Sequence, residues 1–234
     1  MEEIAEEKEI PIYAPFQGEK IGDFTVLAPT KERYLDLVVE SDKTPRPAKE
    51  SSQSLLRQGL DCVEKTVARA ASFIRAAWGE ESFSSEETSH ENEMSVIQYA
   101  YLCQKRILLT ADAGRAALTE AADYADNILP GIDRFQVPHH GSRRNVSTEI
   151  LDRWLGAILP EQLEEGSEKF TAIISASKDD DDHPRKAVVR GCIHRGAKVI
   201  SNEGCDIRTQ HNAPTRENWT AISGLSYPED QEKD

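Results

Sequence analysis

The apolar positions of this chain change period repeatedly, and each change marks the start or end of an element. FTVLA (24–28) is a short apolar run rich in strand formers, and Pro29-Thr30 then opens a segment with Tyr34, Leu37 and Val38 at helical spacing. From Asp42 to Gln53 the chain turns polar, and from Gly79 to Glu93 it turns acidic and serine-rich, both linker compositions. Between them Leu56, Leu60, Val63, Val67, Ala70, Ile74 and Trp78 alternate at spacings of three and four, which predicts a helix over 52–78 closed by Gly79. That arm, with its linkers (43–93), reads as an insertion. Its stripe covers the core of the host domain, or makes a dimer contact, or forms a lid.

After the insertion, MSVIQYAYL (94–102) and RILLTAD (106–112) predict a hairpin of buried strands around a turn at Cys103-Gln104-Lys105. Residues 114–124 are alanine-rich and helical, 132–137 a strand, and Ser147 caps a helix that turns Ile150, Leu151, Trp154 and Leu155 inward. FTAIISAS (170–177) is the next strand. Pro184 then sits in the first turn of a helix carrying Val188, Val189, Cys192 and Ile193, ended by Gly196 before strands at 198–201 and 205–208. Residues 210–234 read as a tail. Strands alternating with helices predict an α/β fold with helices on the sheet faces and some antiparallel pairing from the hairpin.

Composition narrows the partners. The 234 residues are 38% hydrophobic and 30% charged, which suits one globular domain with polar excursions. A net charge of −14 gives no basic groove along which a nucleic acid backbone could track. A bound divalent cation would still invert the field locally and draw in a phosphate. Cys62, Cys103, Cys192 and Cys205 form no C-x-x-C pair, and Cys103 and Cys192 lie within apolar patterns, so all four read as reduced thiols. No apolar run reaches the roughly 18 residues of a membrane span, and the acidic N-terminus lacks a signal pattern; the expected location is cytoplasmic.

Three polar clusters stand at or just past strand ends, where α/β sheets gather their ligands: Asp112, the pair His139-His140, and Asp182-His183. A carboxylate at Asp112, between Ala111 and Ala113-Gly114, can bridge two metals, or simply cap the helix that follows. Adjacent imidazoles before Gly141-Ser142 suit ligation of zinc or another first-row metal, since glycine lets the turn approach closely. His183 stands at a helix start, either as an entry residue of an acidic loop or where an anion is favoured.

Taken in order, Asn92, Ser95-Val96, LLTADA (108–113), VPHHGS (137–142), IISAS (173–177) and His183-Pro184 resemble the second half of ComEC-type metallo-β-lactamase domains, over residues 24 to 209. The family's wording there is N-S-L-V-L, L-L-T-G-D-A, V-x-H-H-G-S, a serine-ended strand and G-H-P. The resemblance implies an αββα sandwich of which this chain supplies the second half, a mixed sheet with flanking helices. It also implies a metal-dependent hydrolase of phosphodiesters or nucleotides with a two-metal site of zinc or manganese. In such a site the metals clamp phosphoryl oxygens and lower the pKa of a bound water toward ~7. Asp112 corresponds to the bridging carboxylate, one of His139 and His140 to a metal ligand, and His183 with Asp182 to the substrate-contacting G-H-P. The hallmark H-x-H-x-D-H is absent; Ala111 and Asp182 replace family glycines. The expectation is therefore an incomplete site that needs a missing N-terminal half. The other expectation, from a different class, is a non-catalytic half-fold that pairs with a partner chain through its exposed sheet edge and the 52–78 helix.

Overall fold

A computed structural model describes residues 2–12, 14–41, 43–44, 72–180 and 182–233. Its elements in chain order are α1 (Glu2–Glu7), β1 (Lys20–Ile21), β2 (Phe24–Ala28), α2 (Lys31–Glu40), β3 (Phe73–Arg75), α3 (His90–Glu93), β4 (Ile97–Leu102), β5 (Lys105–Leu109), α4 (Arg115–Tyr124), β6 (Arg134–Gln136), α5 (Thr148–Leu155), β7 (Phe170–Ile174), α6 (Lys186–His194), β8 (Ala197–Ser201) and β9 (Asp230–Glu232). Seven strands form one mixed sheet in the order β1-β2-β4-β5-β6-β7-β8, and β3 pairs with β9 in a separate two-stranded ribbon. The molecule is α/β, as the alternation of periods predicts.

The sheet has two halves of different origin. From β1 to β5 all pairs are antiparallel, and β4 and β5 form the expected hairpin around Cys103 and Gln104, both at positive φ. From β5 to β8 all pairs are parallel and follow chain order. Each parallel step needs a crossover helix, and right-handed crossovers running in one direction place α4, α5 and α6 on the same face. The register agrees: Leu108, Phe135, Ala172 and Val199 lie side by side and are fully buried. They pack with Ala117, Leu118, Leu151, Trp154, Val188 and Cys192 from the helices in one core.

The neighbouring row, Ile107, Arg134, Thr171 and Lys198, points to the opposite face and is only half-buried, as are Leu109 and Ile173. No described helix among α4, α5 and α6 covers this side. Ile107, Leu109 and Ile173 share it with Arg134, Thr171 and Lys198, while Val26, Ala100 and Ile200 on the same face are buried.

Caps follow the sequence closely in two helices. Thr30 accepts from the backbone N–H of Arg33, and Ser147 from that of Ile150. Gly114, not Asp112, precedes α4, and Glu93 serves that helix instead, accepting from the N–H of Ala117 at 2.7 Å. A Cβ on Gly114 would fall 1.9 Å from the Glu93 carboxylate. Only glycine fits.

Five expectations need correction. The helix over 52–78 lies outside the described residues up to 71, and its last part is strand β3 and a turn at Trp78-Gly79; strand pairing with Asp230–Glu232 has overridden the helical spacing of Ile74 and Trp78. The strand over 205–208 is absent: Cys205 N–H turns back to Asn202, and Leu225 N–H donates to the Val199 carbonyl of the edge strand β8. Pro184 precedes α6 rather than sitting in its first turn, with Arg185 at the cap position. Cys103 is exposed in the hairpin turn, whereas Cys192 is buried as expected and its thiol is pushed up to about 12 by burial. The expected tail, 210–234, contributes β9, and Gln231 and Glu232 there are buried. Among the described residues no helix is long and apolar enough to cross a membrane.

Candidate functional site

Because β5, β6 and β7 are adjacent and parallel, their carboxyl ends lie side by side, and the loops that follow them carry Asp112, His139-His140 and Asp182-His183. Residues separated by 71 positions of sequence are thereby brought to one rim. The imidazole centroids form a near-equilateral triangle: His139 to His140 5.6 Å, His139 to His183 6.2 Å, His140 to His183 6.4 Å.

The backbone under this triangle is strained. Ala111, His139 and His140 take φ of 47°, 45° and 58°, followed by Gly141 at 83°. Each non-glycine residue held in this region costs on the order of 1–3 kcal/mol and persists only where its surroundings over-determine it. The surroundings here are specific. His139 N–H donates to Ala111 O at 3.0 Å, Ser142 N–H to His139 O at 2.9 Å, and Arg185 N–H to Gly141 O at 3.1 Å. Gln136 stiffens the other side, its amide oxygen accepting from Thr110 N–H at 3.0 Å and Ala111 N–H at 3.3 Å.

Each imidazole is oriented through Nδ1. Asn92 Nδ2 lies 2.9 Å from Nδ1 of His139, the Ser175 carbonyl receives Nδ1 of His140, and Asp180 Oδ2 is 3.0 Å from Nδ1 of His183. No Nε2 of the three has a hydrogen-bond partner among the described residues. Burial lowers the pKa of His139, offset in part by the nearby Asp112 carboxylate, so this ring is held neutral. Burial pushes Asp180 up, but the Asp182 backbone N–H and His183 outweigh it and the carboxyl sits below its usual range.

Asp112 is exposed, and no hydrogen bond to its carboxylate is made among the described residues; only its backbone carbonyl is tied, accepting from Asn145 Nδ2 at 3.0 Å. Asp182 pairs with Arg185 at 3.0 Å. The carboxylate on His183 belongs to Asp180. Sequence reasoning missed Asn145 and Gln136, offered Asp180 only as one of four acidic-loop residues, and placed Asn92 in a motif without giving it a role. Asp180 was concealed in a run of four aspartates, where only the fold selects one.

A polar cleft of about 1000 Å³ opens beside His139 and His183. One wall is the acidic, serine-rich stretch that composition read as linker. It is pinned: Arg115 donates to the carbonyls of Ser84, Ser85 and Glu86, Ser84 N–H to Arg143 O, and Arg144 pairs with Glu86. The N-terminus of α6 does not offer free N–H groups to the cleft, since Glu232 accepts from Lys186 N–H at 2.8 Å and Ala187 N–H at 3.0 Å. The expected anion seat is filled by the chain's own carboxylate.

Among the described residues no group of three or more His, Cys, Asp or Glu side chains is arranged to hold a metal ion. The donor types suit a divalent metal; their present arrangement does not close around one. The fold and this rim define an α/β protein with a histidine-rich site at the carboxyl ends of parallel strands. Comparison with protein-family models, with curated proteins and with solved structures finds no match to the chain.

Proposed function

We propose that this chain is the second half of a metallo-β-lactamase-like sandwich and carries part of a metal-dependent hydrolase site for phosphodiesters or nucleotides. The observation that carries this reading is the convergence of His139, His140 and His183 on one rim, with every Nδ1 engaged and every Nε2 left without a partner. Histidines that ligate metals commonly donate their second ring N–H to a carboxylate, carbonyl or water, as the partners of His140 and His183, Ser175 O and Asp180, allow; His139 instead faces the amide of Asn92. Strained backbone beneath them supports the same reading, because such strain clusters at functional sites. The donors present do not close a metal site, so the missing ligands come from a segment outside the described residues. What this chain contributes is orientation: Asn92, Ser175 and Asp180 aim the rings, and the cleft wall at Ser84 to Ser89 bounds the ligand.

The test is to join this chain to a segment bearing H-x-H-x-D-H and follow cleavage of bis-(p-nitrophenyl) phosphate with manganese or zinc. Metal-dependent cleavage that is lost on His140→Ala supports the reading. Metal bound by the joined protein without any cleavage of phosphodiesters or nucleotides removes it.

A second reading has its own observation, the half-buried row of apolar and basic side chains on the sheet face opposite the helices. On that reading the chain is a non-catalytic half-fold whose open face binds a partner chain. The joined protein would then bind no metal.

A further inference from the structure

Strands β7 and β8 are adjacent and parallel, and the first residues beyond them, Ser175 and Asn202, line a pocket of about 540 Å³ apart from the polar cleft. That volume falls within the roughly 300–1,000 Å³ usual for small-molecule sites. Asn202 is fixed there by both strand ends. Its backbone N–H donates to Ile174 O at 3.2 Å, and its side-chain oxygen accepts from Ala176 N–H at 2.8 Å. Its amide NH₂ has no hydrogen-bond partner among the described residues and is therefore a donor held in one orientation. Asp206, on the same lining, is exposed, and its carboxylate makes no ion pair or hydrogen bond among the described residues. Ile173 and Ile207 add half-buried apolar surface, and Trp219 lines the pocket while 42% exposed. No Lys, Arg or His belongs to the lining.

We propose that this pocket binds the base of a guanine nucleoside or nucleotide. Its lining suits a flat ring with a mixed edge: an indole and two isoleucine side chains for the faces, and a fixed donor with a carboxylate acceptor for the edge. A carboxylate only accepts and an amide NH₂ only donates. Guanine satisfies both, since its two neighbouring N–H groups can enter the Asp206 carboxylate together while its carbonyl oxygen accepts from Asn202 Nδ2. Adenine and cytosine bring a ring lone pair to the carboxylate, and uracil a single N–H flanked by two carbonyl oxygens. Without a cation on the lining, and with Asp206 on it, the phosphoryl end of a nucleotide stays outside the pocket. The Ser175 carbonyl that receives Nδ1 of His140 belongs to a residue of this lining, so the pocket adjoins the rim. That a guanine nucleotide is also a substrate rests on the hydrolase reading above; the base pocket itself is a property of the chain alone.

The probe is guanosine, which carries no phosphate and so tests the pocket apart from any hydrolysis. Of the three tryptophans in the chain, Trp154 is 1% exposed and Trp78 donates its indole N–H to Leu159 O, so Trp219 is the open one. The ¹H–¹⁵N indole signals of the full chain are assigned with Trp219→Phe. Guanosine is expected to shift the Trp219 signal, to leave that of Trp154 in place, and to bind about tenfold more tightly than adenosine, cytidine or uridine. By equilibrium dialysis, Trp219→Ala is expected to weaken guanosine about tenfold or more, and Asp206→Asn about tenfold with the preference over adenosine removed. Both side chains are exposed, and an unchanged far-UV circular dichroism spectrum shows that each variant keeps the fold. Equal binding of all four nucleosides, a Trp219 signal that does not respond, or guanosine binding unaffected by Asp206→Asn overturns the proposal. Guanosine bound as expected by a joined protein that cleaves no phosphodiester or nucleotide would uphold the pocket and sink the hydrolase reading instead.

Discussion

At Gly141 a side chain has no room: φ is +83°, and a Cβ would stand 2.9 Å from Cβ of Pro184. This contact sets the spacing between the His139-His140 turn and the loop of His183. Gly141→Ala is expected to lose about 1–3 kcal/mol by urea unfolding, from left-handed strain and the clash together. Asn145 is the other residue on which the rim depends. It is 1% exposed, and its amide donates to the carbonyls of Asp112 at 3.0 Å and Ala113 at 3.1 Å. Asn145→Ala leaves both carbonyls short of a partner and is expected to cost about 1–3 kcal/mol. Asp112→Ala is expected to change stability by less than ~0.5 kcal/mol, because the carboxylate is exposed, is bonded to nothing described and caps no helix. A large loss on Asp112→Ala would show that this side chain has a structural duty, and its assignment to the site would fall.

Helix α6 is the element that joins the late part of the chain to the rest. Its last residue His194 and the following Arg195 are fully buried and meet the buried carboxylate of Glu81 at 2.9 and 2.6 Å, while Arg195 also reaches Asp152 at 2.6 Å. Arg190 is also fully buried and donates to the carbonyls of Ala77 and Pro228, clamping the segments on either side. Burial pushes Glu81 up, but His194 and Arg195 outweigh it and bring its pKa from the ordinary 4.5 to about 2. A depressed folded-state value means stability that is fully present above pH ~4.5 and is lost as pH falls toward 2, roughly 3 kcal/mol across that window. Glu81→Gln is expected to flatten this acid limb while lowering stability at neutral pH, read by urea titrations between pH 2.5 and 7. None of this network is legible in the sequence, where Glu81 looks like linker and Arg190, His194 and Arg195 like a solvated helix end. Local periodicity did give β2, α2, the β4–β5 hairpin, α4, α5, β7 and α6, because each buries a face that its own spacing announces. It failed at β3, whose partner β9 lies more than 150 residues away, and at 205–208, where Leu225 competes for the sheet edge. The rim was legible because chemistry at strand ends survives without knowing the pairing; its supporting residues were not, since Asn92, Ser175 and Asp180 acquire their roles only through contacts across loops.

Among the described residues the two faces of the sheet are covered differently. Helices α4, α5 and α6 seal one side of the sheet, while Ile107, Leu109 and Ile173 remain half-buried on the other, beside Arg134 and Lys198. In a sandwich both faces must be covered, and the rim histidines would then lie at the seam between the two halves. On the proposed sandwich reading, a site at the seam takes ligands from both sides, so the donors of this chain alone do not close around a metal. The consequence is measurable on the chain as it stands. Structural zinc is held by four ligands, and a site with fewer protein donors keeps open positions and weak affinity. After equilibration with zinc or manganese and desalting, the chain is expected to retain well under one metal ion per molecule, by elemental analysis. Joining it to a segment with H-x-H-x-D-H should raise retention to one or two, and His140→Ala should lower it again. Stoichiometric metal held by the chain alone would contradict the shared-seam account. It would point instead to substitute ligands within reach of the rim, with Asp180 and its neighbours in the acidic loop before His183 the first to be replaced by asparagine.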